Sequence, residues 1–119
     1  MYKYLHIMEA AQFHRIAKAL ADPRRFEVYE TIAQAGDEMC CGAITDCFPV
    51  SQATISHHLK ELAEAGLIEP RSAGQFKLFR ARPDVLAAYI EELRRRARLT
   101  KPQPQKAKTA AKRRASGGA

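Results

Sequence analysis

Residues 51–68 constrain the fold of this chain more than any other segment. Ile55, Leu59 and Leu62 recur at i, i+4 and i+7, a narrow apolar stripe that has to pack on a core. Gln52, Thr54, Ser56, His57, His58 and Lys60 are all polar, and none blocks close approach to a partner. Ser51 is a good N-cap, Val50 and Ile55 stand where a hydrophobic staple closes, and Gly66 supplies the stop. The segment therefore reads as one short helix, anchored behind and polar in front. Such a helix suits the major groove of DNA, and equally describes an ordinary amphipathic surface helix. The next residues separate the two.

Two extended runs follow, over residues 67–71 and 75–82, on either side of a turn signal at Ser72, Ala73 and Gly74. The second run alternates, with Phe76, Leu78 and Arg80 on one side and Lys77, Phe79 and Ala81 on the other. Arg71, Lys77, Arg80 and Arg82 make this hairpin basic, and Pro70 suits an edge strand. A capped helix ending in glycine and leading into a basic hairpin is the outline of a winged helix-turn-helix. In that arrangement the hairpin lies along the phosphate backbone.

Residues 20–98 resemble the ArsR family of bacterial repressors, also called ArsR/SmtB. The resemblance is carried by LADPRR at 20–25, SQATISHHLK at 51–60, AGLI at 65–68 and GQFKLF at 74–79, in the family's order and spacing. It implies a mainly α winged helix-turn-helix of about five helices plus a two-stranded hairpin wing. It also implies dimerisation through the first and last helices, and repression relieved by an inducer.

At 119 residues the chain is long enough for one small core. With no apolar run near 18 residues and no signal-peptide pattern, a cytoplasmic protein is expected. The net charge of +7 is unevenly placed. Residues 101–119 hold Lys101, Lys106, Lys108, Lys112, Arg113 and Arg114 and no acid, leaving 14 basic and 13 acidic groups in residues 1–100. The expected division is a folded domain over 1–99 and a disordered basic tail over 100–119. The tail is either a solvated extension or an arm that adds nonspecific attraction to phosphates.

Periodicity predicts a first helix over 5–20, with Leu5, Met8, Ala11, Phe13, Ile16 and Leu20 on one face. Asp22 and Pro23 open a second helix over 23–35 with Phe26, Tyr29, Ile32 and Ala33 inside, and Gly36 closes it. A third helix is expected over 38–48, ending at Pro49. The last begins at Pro83, with Val85, Leu86, Tyr89, Ile90 and Leu93 as its apolar face. The first and last helices carry more apolar surface than so small a core needs. A two-fold dimer built on them places two reading helices about one DNA turn apart, which calls for an inverted-repeat operator.

The expected DNA contacts are Ser51, Gln52, Thr54, Ser56, His57 and His58 on the helix, with Arg71, Gln75 and Lys77 on the wing. Gln52 can pair bidentately with adenine, and the Thr54 methyl can meet thymine. Adjacent His57 and His58 point about 100° apart on a helix, a poor chelating geometry.

Cys40, Cys41 and Cys47 are the candidate sensor. The resemblance extends to the thiol box of the family's arsenical sensors. Cys40 matches its first ligand, but Gly42 stands where the second cysteine is due. Cys41 can substitute if the helix start unwinds, since vicinal thiols suit As(III). Cys47 lies about 10 Å from Cys40 along a continuous helix, too far for one ion to reach both. Three readings stay open: a site for As(III) or another thiophilic ion, a redox switch, and small buried apolar residues. A zinc site on the last helix lacks histidine, and His6 with His14 lacks completing ligands. No obligatory cofactor is expected.

No arrangement of nucleophile, acid and base marks an enzyme. A protein-interaction module on the same fold and a nonspecific chromosome-coating protein are the remaining classes. The polar reading face with its basic wing argues for sequence-specific DNA binding over either.

Overall fold

The computed structural model describes residues 8–99. In chain order the elements are α1 (Ala10–Ala21), α2 (Pro23–Ala35), β1 (Met39–Cys40), α3 (Cys41–Thr45), α4 (Gln52–Glu64), β2 (Ile68–Ala73), β3 (Phe76–Ala81) and α5 (Pro83–Arg96). Leu5, part of the expected face of the first helix, lies outside the described residues, as does the basic tail beyond Leu99.

Local chemistry sets the helix ends. Asp22 is extended and its carboxylate accepts the Arg25 amide at 3.0 Å, capping α2 with Pro23 in the first turn. Gly36 closes α2 in the left-handed conformation, φ 73°, donating to the Ala33 carbonyl. At the end of α4, Gly66 at φ 84° donates to the Ala63 carbonyl and Leu67 donates to that of Leu62. These are the two bonds of a Schellman stop. A Cβ at Gly66 would stand 3.0 Å from the Gln12 amide nitrogen and would push the end of that side chain aside.

Ile16, Val28, Ile32, Ile44, Ile55, Leu62 and Leu67 are almost fully buried and, with Ala88 of α5, draw all five helices onto one core. At about 1.5–3 kcal/mol for each large apolar side chain, this cluster dominates the folding energy. The buried face of α2 is shifted from the expected one. Val28, Tyr29 and Ile32 point inward, while Phe26 is 41% exposed and Ala33 is also outside.

The third helix is much shorter than the 38–48 span expected. Met39 and Cys40 are extended and pair antiparallel with Phe79 and Leu78 of β3, so the sheet has three strands in the order β1-β3-β2. The wing is therefore not a bare hairpin, because its inner strand is tied to the segment leading into α3. Helix geometry begins only at Cys41. After Thr45, whose hydroxyl donates to the Cys41 carbonyl at 2.8 Å, the chain turns toward Ser51.

α1 and α5 meet through aromatic and charged side chains. The Phe13 and Tyr89 rings lie 5.1 Å apart, and the Arg96 guanidinium sits 4.4 Å from the Phe13 centroid. Glu92, 5% exposed, is covered by the Arg95 and Arg96 guanidinium groups it accepts from. Ile90 and Leu93 of α5 face outward, 47% and 44% exposed.

Candidate nucleic-acid interface

The interface is built on α4. Ile55, Leu59 and Leu62, the predicted stripe, are all buried and fix the helix from behind. Ser51 caps it, its hydroxyl accepting the Thr54 amide at 3.1 Å and lying 3.1 Å from the Thr54 hydroxyl. Ser51 and Thr54 thus hold each other at the helix start. Gln52, Ser56 and His57 are exposed on the outer face together with Ala53 and Lys60. Lys60 was not among the expected contacts, although Gln52, Ser56 and Lys60 follow i, i+4, i+8. That spacing was the available signal.

His58, expected on the outer face, is buried instead. It is 8% exposed and turned inward, with its Nδ1 buried and without a hydrogen-bond partner among the described residues. Burial lowers its pKa below the usual 6.5; the nearby Asp22 charge opposes that shift, whereas Arg25, His57 and Arg24 add to it. The outer face of α4 therefore presents one histidine, not two.

The wing is also less basic than its composition suggests. Arg71 makes two 2.7 Å bonds to the Glu38 carboxylate, Arg80 binds Glu69, and Arg82 binds Asp84. The Arg71 hydrogen bond holds the Glu38 carboxyl below its usual range, so the pair stays ionised. Among the described residues, Lys77 is the hairpin cation left without an ion pair. Gln75 is exposed at the turn. Of the wing residues expected at DNA, Gln75 and Lys77 are presented freely and Arg71 is already engaged.

The three thiols are separated in role. The Cys41 sulfur lies 3.8 Å from the Ser56 hydroxyl and 4.0 Å from that of Thr45. Cys40 is half-buried at the end of β1, and Cys47 is exposed, its thiol donating to the Ala43 carbonyl. Among the described residues no three His, Cys, Asp or Glu side chains converge to hold a metal ion. The expected Cys40, Cys41 and Cys47 set therefore does not assemble as one cluster here. Cys40 lies in β1 and Cys41 opens α3, whereas Cys47 lies beyond its end at Thr45.

A helix-turn-helix domain family matches residues 20–71, the stretch from the end of α1 through α2, β1, α3 and α4 into the wing. The arsenic resistance transcriptional regulator ArsR1 of Pseudomonas putida is 36% identical over 67% of this chain and 62% of its own length. The transcriptional repressor SdpR of Bacillus subtilis is 33% identical over 61% of this chain and 79% of its own. A solved structure from Mycobacterium bovis, described as a homodimeric winged helix-turn-helix DNA-binding domain of a possible ArsR-family regulator, is 31% identical. It superposes with a TM-score of 0.59 over 67% of this chain and 73% of that one.

The chain belongs to the ArsR family of helix-turn-helix transcriptional regulators.

In this ArsR-family regulator the turn over residues 46–51 and α4 form the reading half of the helix-turn-helix. The three-stranded sheet sets the wing beside it. The family is one of DNA-binding transcriptional regulators and not a class of enzymes. No described helix is long and apolar enough to cross a membrane.

Proposed function

We propose that the protein is a cytoplasmic homodimeric repressor that occupies an inverted-repeat operator and leaves it when an inducer binds. The observation that carries this reading is the outer face of α4, exposed at Gln52, Ser56, His57 and Lys60 over a fully buried back. Exposed Ile90 and Leu93 on α5 supply apolar surface for a two-fold contact, which sets two reading helices about 34 Å apart on one side of a duplex. The names of the relatives support the same reading, one a repressor and one a homodimeric DNA-binding domain.

Fluorescence anisotropy on the duplex upstream of the protein's own coding sequence tests it. Gln52→Ala should weaken specific binding by about 1–3 kcal/mol, the worth of one bidentate base contact. An equal loss on random duplex would show that Gln52 does not read sequence, and no preference for the upstream duplex would sink the repressor reading.

For the inducer, we propose As(III) or another thiophilic ion held by the vicinal Cys40 and Cys41. The arsenic-resistance relative and the soft-ligand preference of thiols support this choice. Because Cys41 lies against Ser56, a ligand there would act directly on the reading helix. The double substitution Cys40→Ser, Cys41→Ser should bind operator normally and ignore arsenite. Persistent release by arsenite would exclude these thiols.

A further inference from the structure

Between α4 and the wing lies a cavity of about 600 Å³, within the size range of small-molecule sites. Its walls are mostly apolar. Leu59 and Ala63 line the helix side, Phe79 and Pro70 the sheet side, and the Cys41 sulfur adds a soft, polarisable patch. Sequence explains why the space exists. Ala63 and Cys41 are small where a larger side chain would fill it, and Phe79 is committed to the core at 7% exposure.

The charges around the cavity are unequal. Lys60 and Glu64 stand 4.0 Å apart and offset each other, whereas Lys77 has no ion-pair partner among the described residues. The cavity thus offers an apolar trough with one uncompensated cation. That is the complement of a small molecule with an alkyl or aryl body and a single anionic group.

From this geometry we infer that the trough between α4 and the wing is a binding site for a small anionic amphiphile, and that its occupant competes directly with DNA. Gln52, Ser56 and Lys77 also border the cavity, and they are three of the residues assigned to the duplex. An occupant with its anionic group at Lys77 uses the charge a phosphate would use and covers the groove-facing side of α4. Release then needs no change in the angle between the two reading helices. The second half of this inference rests on the proposed DNA-binding role; the first half does not.

Decanoate, kept below its micelle concentration, is the probe, with decanol as its neutral counterpart. Chemical-shift titration of the DNA-free protein should give saturable changes centred on Leu59, Ala63 and Phe79. Decanol should bind at least tenfold more weakly. Ala63→Leu puts bulk into the trough without loss of helix propensity, and Pro70→Glu sets a negative charge on its exposed rim. Each should raise the Kd for decanoate at least tenfold, with unchanged thermal unfolding midpoints confirming that the fold survives. Decanoate should also displace operator duplex from the wild-type protein, with an apparent Kd that rises in proportion to DNA concentration.

Shifts confined to α1 and α5, equal affinity for decanol, or undiminished binding by both variants would overturn the site. Groove binding without competition against DNA would overturn the proposed mode of release. If the protein bound no duplex even without decanoate, the repressor reading would fall, and the shift titration alone would decide the site.

Discussion

Neutralising Glu38 should make this protein a stickier and more salt-sensitive DNA binder. Among the described residues the wing offers a phosphate one unpaired cation, Lys77, because Glu38, Glu69 and Asp84 occupy the three arginines. Glu38→Gln keeps the shape of the side chain and removes the charge that holds Arg71. One further cation per wing then becomes available, and two in the proposed dimer. Each added phosphate contact steepens the dependence of log K on log salt by about 0.9, so two steepen it by about 1.8. Between about 50 and 200 mM salt this is about 1.1 log units, a roughly twelvefold greater loss of affinity than wild type suffers. Anisotropy titrations of the dimer on one duplex across that salt range read the slope directly. Lys77→Gln should move the slope by the same amount in the opposite direction. A slope for Glu38→Gln equal to wild type would refute the reasoning, because it would mean that Arg71 is either free on DNA already or never near a phosphate.

Ser51→Ala removes the cap from α4 and should cost about 1 kcal/mol of stability, read as a lower urea midpoint with an unchanged slope. No change would mean that the Ser51 to Thr54 bond contributes nothing in solution. His58 makes stability depend on pH on the acid side of neutrality. Burial lowers its folded-state pKa below 6.5, so the unfolded chain takes up the proton first as pH falls. Its contribution is complete above about 6.5 and is lost as pH drops through the folded-state value. His58→Gln should flatten the decline in thermal midpoint between about pH 7 and 5.5, ahead of the carboxylate range. An identical decline in the variant would assign it to other groups.

The reading helix was legible because everything that makes it is local. Its stripe, cap and glycine stop all fall within residues 51–66, and each appears in the structure as expected. His58 was misread because its polarity outweighed its position, three residues after Ile55 and four before Leu62, inside the buried arc. The missing strand has a different cause. Residues 38–48 satisfy helix periodicity, but Met39 and Cys40 find partners on β3, and Glu38 finds Arg71 33 residues away. Contacts at that separation leave no local trace, and they override propensity. The wing arginines show the same limit, since their number can be counted from the sequence but their pairing cannot.

The rear end of α4 is gripped from two directions. Gln12 of α1 donates to the Ala65 carbonyl at 3.3 Å, and the Arg82 amide, at the threshold of α5, donates to that of Leu67 at 2.8 Å. The helix is thus tied at its heel to α1 and to the start of α5, the two elements that would pair in the proposed dimer, while its toe begins at the cap, Ser51. Those two bonds make the heel the point at which a movement of α1 or α5 would reach this helix, while Ile55, Leu59 and Leu62 keep its full length on the core.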